Sequence, residues 1–291
     1  MTFRPMRVVV QQGWTGLRRG SARLASRLPT RVDVRKGARA LRSGLANLIF
    51  PPTCLSCDTQ LEDGDSYAGV WLCERCVEAF EIFNEPICDR CGAPVPFAPK
   101  LPSDSAKVAA KDLGCYRCRG PKLWFDSTIA LGHYGGQLRE LLLRMKQARG
   151  DAISLALGRL IWYQCRGRLE ALNADVVVPI PLHWRRRIAH RTNSSAVMAE
   201  VLSSKMSVPW ADGLLRRTRS TLRQFDLKPT KRWENVRRAF AIRAGYHLEA
   251  AHVVLVDDIL TTGATCSEAA RALRAGGAAR VTVVVAARAF G

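Results

Sequence analysis

Two adjacent carboxylates, Asp257 and Asp258, end an apolar run in HVVLVDDILTTGAT, residues 252–265, and Thr261-Thr262-Gly263-Ala264-Thr265 follows two residues later. Hydroxyls, a glycine that lets backbone close around an anion, and the unpaired first N–H groups of a helix form a phosphate grip that needs no lysine. Carboxylates repel phosphate, so Asp257 and Asp258 must face a neutral or cationic part of the same ligand. Vicinal sugar hydroxyls donate hydrogen bonds to carboxylates, and Mg²⁺ takes oxygen ligands. A sugar 5-phosphate with free 2- and 3-hydroxyls satisfies both halves. One aspartate alone would serve as a helix cap. Two in succession, directly after four apolar residues and before such a turn, exceed what a cap requires. The G-x-x-x-x-G-K-[ST] loop is absent, and no G-x-G-x-x-G follows a strand.

A second chemistry lies upstream. Four Cys-x-x-Cys pairs fall between residues 54 and 118: Cys54/Cys57, Cys73/Cys76, Cys88/Cys91 and Cys115/Cys118. Fifteen residues separate Cys57 from Cys73, the spacing of a structural zinc site, and 23 separate Cys91 from Cys115. Two such turns complete a closed tetrahedron of thiolates with no open position, so two structural zinc ions are expected. Disulfides and redox pairs are the competing uses of these cysteines; without a secretory signal, thiolates are favoured. Sequential tetrads and an interleaved arrangement use the same eight ligands. Segments this small bury little apolar surface, so metal binding should supply their folding free energy. Tyr67, Trp71, Phe80, Phe83 and Tyr116 fill small cores or stack bases. Cys165 and Cys266 stand alone as buried thiols.

The elements that must position these groups follow from pattern. From Ser127 onward, apolar runs alternate with helical periodicity, the βαβ texture of a mostly parallel sheet. Strands are predicted at about Thr128–His133, Asp175–Pro179, His252–Val256 and Arg280–Ala287. Helices are predicted at Gln137–Gln147, with Leu138, Leu141, Leu142 and Met145 on one face, and at Asp151–Leu172, Ser194–Ser204 and Cys266–Ala275, the last stopped by Gly276-Gly277. Asp257–Thr265 then becomes a strand-to-helix turn at the carboxyl end of the sheet, where open α/β sheets take ligands. Pro94–Asp112, rich in Pro, Ala, Lys and Ser, reads as a flexible insert.

The chain of 291 residues carries 45 Lys/Arg against 25 Asp/Glu, a formal charge of +20. Residues 1–45 hold eleven of those cations against one acid, Asp33, and show no apolar periodicity. This leader reads as a solvated tail; its Arg-rich composition also suits nucleic acid, anionic lipid or organelle targeting. Three regions result: a basic, disordered leader (1–45), a cysteine module (46–125) and an α/β domain (126–291). No apolar run reaches a membrane span and no signal peptide opens the sequence, so a cytoplasmic protein is expected.

VVLVDDILTTGAT resembles the 5-phosphoribosyl-1-pyrophosphate (PRPP) signature of type I phosphoribosyltransferases. The span from about Leu48 to Ala287 resembles the ComF/GntX family, competence-associated phosphoribosyltransferase-like proteins with an N-terminal zinc ribbon. LIFPPTCLSC, YGGQLRELLLRMKQARGD, VVPIPLHWRRR and QFDLKPTKRWENVRRAF carry the likeness. It implies a type I phosphoribosyltransferase-like α/β fold, a mostly parallel sheet flanked by helices and preceded by a double zinc-ribbon module. It also implies Asp257 and Asp258 as ribose-binding acids and Thr261, Thr262, Gly263, Ala264 and Thr265 as the 5-phosphate loop. Tyr134, Gly136, Arg139 and Lys146 lead into the transferase domain. Pro179, Pro181, Leu182 and Arg185 fall at the loop facing pyrophosphate, and Gln224, Leu227, Arg232, Asn235, Ala239 and Phe240 follow a further family pattern. Where the family has R-G-F-N-Q, this chain has His190-Arg191-Thr192-Asn193-Ser194, keeping only the asparagine.

The resemblance implies displacement at ribose C1 with pyrophosphate leaving and Mg²⁺ accompanying PRPP. Arg185 and Lys146 are candidate partners of the leaving group, with Arg232 in a similar part, and a nucleobase-like compound is the acceptor. His183 and His190 lie near the right loop, although a lone histidine is more often a surface or core residue than a catalyst. The contrasting expectation is a non-catalytic competence accessory that binds single-stranded DNA or a DNA-uptake motor such as a competence helicase.

Overall fold

A computed structural model describes residues 51–62, 66–83, 86–95, 115, 118, 123–147, 150–182, 193–221 and 228–290. The leader, most of the Pro94–Asp112 insert, Tyr116, His183, Arg185, His190, Gln224 and Leu227 lie outside the described residues. The α/β region is built from β1 (Ser127–His133), α1 (Gly136–Arg144), α2 (Gly150–Glu170), β2 (Val176–Pro179), α3 (Ser194–Met206), β3 (Leu215–Arg217), α4 (Pro229–Val236), β4 (Phe240–Ile242), β5 (His252–Leu260), α5 (Ala264–Ala275) and β6 (Arg280–Arg288).

Strands β1, β6, β5 and β2 lie side by side in that order, every neighbouring pair parallel. The Val-rich strands are buried on both faces, as crossovers demand. Alternation sorts the β5 side chains. Val254 and Val256 join Leu141, Leu157, Leu160, Met198 and Leu202 from α1, α2 and α3, while Val253 and Leu255 join Ala269, Ala270 and Leu273 of α5 and Leu215 and Phe240 of the β3–β4 pair. Three predicted helices and three predicted strands recur with ends moved by at most three residues. The fourth strand runs four residues past its expected end, to Leu260, because Asp257, Ile259 and Leu260 keep pairing with Val285, Ala287 and Arg288 of β6. The fourth helix begins two residues early, at Ala264.

The antiparallel pair β3–β4 and helix α4 were not anticipated. Leu-Arg-Arg is too short to show a period of two, and Pro-Thr-Lys-Arg-Trp-Glu-Asn-Val shows no apolar stripe.

The cysteine module lies along the exposed side of β1. Phe83 donates its N–H to the Leu131 carbonyl at 3.2 Å, His133 to Glu81 at 2.9 Å, and Thr128 to Asp89 at 2.8 Å. An otherwise unpaired sheet edge is thereby covered. The apolar clusters run straight across residue 125: Leu55, Leu72 and Phe80 pack with α1 and α2, and Cys88, Cys91 and Phe125 pack with the opposite face. Among the described residues no helix is long and apolar enough to cross a membrane.

Candidate phosphoribosyl site and metal knuckles

The acidic pair sits inside β5 rather than in the turn after it, and successive strand residues point to opposite faces. Asp257 turns toward α5 and the start of α3. Its Oδ1 accepts from the Ser195 hydroxyl at 3.1 Å and from the Asp258 N–H at 3.0 Å, and its Oδ2 lies 3.6 Å from the Cys266 thiol. Burial, together with the negative charge of Asp258, raises the Asp257 carboxyl from 3.8 to about 7. Asp258 turns to the other face, where Lys146, just beyond α1, approaches its Oδ2 at 3.6 Å. The Asp258 side chain is 26% exposed and its Oδ1 accepts the Ile259 N–H at 2.8 Å. Both acids are half-buried but have different partners: Asp257 holds its proton more tightly, and Asp258 is ion-paired.

The turn that follows is three residues, Thr261–Gly263. Gly263 is the residue before α5 and has φ +82°, a conformation that side-chain-bearing residues adopt at a cost. Thr262 Oγ1 accepts the Ala264 N–H at 3.4 Å. The first amides of α5 therefore open beside the acidic pair, with the positive end of the helix dipole behind them. Thr261, Thr262, Gly263, Ala264, Thr265, Asp257, Asp258 and Lys146 all gather at the carboxyl end of β5, while Arg185 lies outside the described residues.

On the neighbouring strand, Asn193, which precedes α3, donates its side-chain N–H to the Ile180 carbonyl at 3.0 Å and ties the loop after β2 to that helix. A cavity of about 180 Å³ opens beside it, lined by Pro181, Leu182, Asp212, Arg216, Arg217 and Arg243. Sequence reasoning missed three contributors: Ser195 and Cys266, which touch Asp257, and Arg288, whose guanidinium holds the carbonyls of Leu260 and Thr261. Cys266 was legible only as a buried thiol, and it is one; its helix spacing from Gly263 is the signal that places it under the turn.

The cysteines form two sequential groups, Cys54/Cys57/Cys73/Cys76 and Cys88/Cys91/Cys115/Cys118, with the sulfurs of each group within 4.8 Å of one another. The contacts Cys57–Cys73 at 3.9 Å, Cys88–Cys118 at 3.9 Å and Cys91–Cys115 at 3.5 Å bracket the edge of about 3.8 Å that a zinc tetrathiolate with Zn–S near 2.3 Å requires. The interleaved alternative is excluded, and the donor set fits zinc.

The double zinc ribbon domain family matches residues 45–119 and the phosphoribosyl transferase domain family matches residues 188–289. Fold and site thus define a phosphoribosyltransferase-like protein preceded by a double zinc ribbon. Over 247 residues the chain is 30% identical to the DNA utilization protein YhgH of Escherichia coli strain K12, covering 81% of this chain and 96% of that one. It is 26% identical to competence protein F of Haemophilus influenzae, over 73% of this chain and 88% of the relative, and 26% identical to competence protein ComFC of Bacillus subtilis, over 76% and 88%. The chain belongs to the ComF/GntX family.

Proposed function

We propose that this protein is a cytoplasmic, PRPP-binding phosphoribosyltransferase of the ComF type, serving DNA use or the salvage of nucleotides obtained from it. The observation that carries the reading is the order of groups at the end of β5: a carboxylate on each face, then a three-residue turn closed by a left-handed glycine at a helix N-terminus. The amides and hydroxyls of Thr261–Thr265 take the 5-phosphate, and Asp257 and Asp258 accept hydrogen bonds from the ribose hydroxyls. An acceptor nitrogen then forms a bond to ribose C1 as the C1–oxygen bond breaks, the bonding pair leaving with pyrophosphate. Positive charge developing on the sugar ring is stabilised by the neighbouring carboxylate of Asp258. Lys146, released from Asp258, and Arg185 neutralise the leaving group. Mg²⁺, when bound with PRPP, adds charge neutralisation on pyrophosphate, and Asp258 supplies a suitable hard oxygen ligand. Two structural zinc ions in the cysteine groups complete the fold.

Calorimetry of PRPP with Mg²⁺ on the wild type and on an Asp257→Asn/Asp258→Asn variant tests the binding half. Pyrophosphate release across a panel of nucleobase-like acceptors tests the transfer half. PRPP heat in the wild type and its loss in the variant are expected; a wild type that does not bind PRPP overturns the proposal.

A specific observation favours a second reading, in which DNA is held without turnover. Among the described residues from 213 to 248, nine are Lys or Arg and one, Glu234, is acidic. This face, on β3, α4 and β4, borders the arginine-lined cavity. Such a surface suits a phosphate backbone, and the DNA-related names of the relatives agree with it. Single-stranded DNA affinity that falls steeply with salt and ignores the Asp257→Asn/Asp258→Asn change would support this reading over catalysis.

A further inference from the structure

Strand β6 ends on a buried cation. Arg288 is 8% exposed. Its Nε donates to the Cys91 carbonyl at 2.8 Å, and its Nη1 donates to Leu260 at 2.9 Å and to the carbonyls of Thr261 and Ala289. The side chain lies over the Phe290 ring at 5.0 Å. One guanidinium therefore grips a ligand residue of the second cysteine group with one edge and the start of the phosphate turn with another. The rigid fork of arginine is what allows both at once.

Peptide planarity gives this grip a consequence. In a trans peptide the carbonyl and the next N–H point in opposite directions. Drawing the Leu260 and Thr261 carbonyls toward Arg288 aims the N–H groups of Thr261 and Thr262 away from it, on the side where an anion would be held. Other contacts join the same two parts. A Cβ placed on Gly263 would meet Leu123 at 3.4 Å and Phe125 at 3.7 Å, so the segment leaving the second group already packs against the turn. Trp124 donates its N–H to the Ser267 hydroxyl in the first turns of α5 at 3.1 Å. On the knuckle's other flank, the Thr128 hydroxyl donates to the Arg90 carbonyl at 2.8 Å.

Burying a guanidinium is costly unless hydrogen bonds compensate, and the carbonyls of Cys91, Leu260, Thr261 and Ala289 supply them.

We propose that Arg288 is a positioning residue that couples the second cysteine group to the phosphate turn. Metal held by Cys88, Cys91, Cys115 and Cys118 keeps Thr261–Thr265 ordered for an anionic ligand, and loss of that metal slackens the turn. The identity of the anion rests on the PRPP reading above; the coupling itself does not.

Hydrogen exchange of the full chain, followed by mass spectrometry without PRPP, reads the turn through peptides spanning residues 257–267, alongside zinc content per chain. The variants are Arg288→Lys, which keeps the charge and loses the fork, Cys115→Ser in the second group, and Cys57→Ser in the first as control. Arg288→Lys should keep both zinc ions and Cys115→Ser should lose one, and each should speed exchange across 257–267 about tenfold, the scale of one lost charge-assisted hydrogen bond. The double variant should go little further than either. Cys57→Ser should lose one zinc and leave the turn protected. If Cys115→Ser loosens β6 (281–285) as much as the turn, Arg288→Lys carries the decision through its unchanged zinc content. An unchanged turn in Arg288→Lys, or equal loosening by Cys57→Ser, overturns the coupling. Calorimetry with PRPP on the same proteins should show about a tenfold affinity loss in Arg288→Lys. A wild type that ignores PRPP while the exchange pattern holds would remove the PRPP reading and leave the coupling standing.

Discussion

Replacing Asp257 by asparagine should stabilise the protein at alkaline pH, although it removes a proposed ligand-binding carboxylate. The carboxyl titrates at 3.8 ordinarily and at about 7 in the folded chain, because the half-buried group is desolvated and faces the charge of Asp258. The folded state therefore binds this proton more tightly than the unfolded state, and stability falls as pH rises from about 4 to about 7. The full penalty above that range is about 4 kcal/mol, an upper bound because Asp258 shares the titration. At about pH 5.5 roughly half of it is already present, so the stability gap between variant and wild type should widen by about 2 kcal/mol between about pH 5.5 and about pH 8.5. Asparagine keeps an Oδ1 to accept from Ser195 and the Asp258 amide, so packing is preserved. The assay is urea unfolding of both proteins at saturating zinc, read by tryptophan fluorescence. Taking the difference between the two proteins cancels the pH dependence of metal binding. A gap that stays constant within about 0.5 kcal/mol across the two pH values would refute the placement of a proton-retaining acid at this position.

Gly263→Ala has ordinary van der Waals room around its new methyl, so its cost is conformational, about 1–2 kcal/mol at φ +82°, measurable by urea unfolding and accompanied by weaker PRPP heat. Gly132→Ala places a Cβ 2.5 Å from the Glu81 carbonyl oxygen, a backbone atom that cannot rotate away; overpacking should cost about 1–3 kcal/mol and expose residues 81–95 to limited proteolysis. Arg144 holds the first cysteine group on α1 through the Ser56 carbonyl at 2.5 Å and both oxygens of Asp58 at 3.0 and 3.1 Å. Arg144→Ala should cost only about 0.5–1 kcal/mol in stability, and chelator competition should show easier zinc release from the Cys54 group and unchanged release from the Cys88 group.

What could be read in the sequence had a short period or a fixed spacing. The parallel sheet was legible because Val253–Val256 and Val281–Val285 are near-continuous apolar runs, and the cysteine groups because Cys-x-x-Cys turns direct two sulfurs to one point. The end of β5 was misplaced since aspartates read as loop residues, yet sheet pairing with β6 continues beneath them. That pairing divides Asp257 from Asp258 by strand alternation, a distinction that neighbouring letters in a sequence do not display. Ser195 and Arg288 were invisible for another reason. Each reaches the site from a distant element, Ser195 lying 62 positions from Asp257 and Arg288 lying 27 from Thr261.

The same packing explains why the cysteine module and the sugar-phosphate turn are found together. A ribbon of a few dozen residues closes around metal but buries too little apolar surface to stand alone. Here it completes its cores on the sheet: Leu55, Leu72 and Phe80 against α1 and α2, and Cys88, Cys91 and Phe125 against the face that carries α5. Strand β1 gains cover for its edge, and the module gains a hydrophobic floor. Because β1 neighbours β6, and β6 neighbours β5, only β6 separates the covered strand from β5. Arg288, closing the intervening strand, bridges the gap through its bonds to the Cys91 and Thr261 carbonyls, which is how the proposed coupling would carry the state of the cysteines to the turn. On this account the ribbon is part of the wall of the site, and any change that shifts it along β1 should be felt first at Thr261 and Thr262.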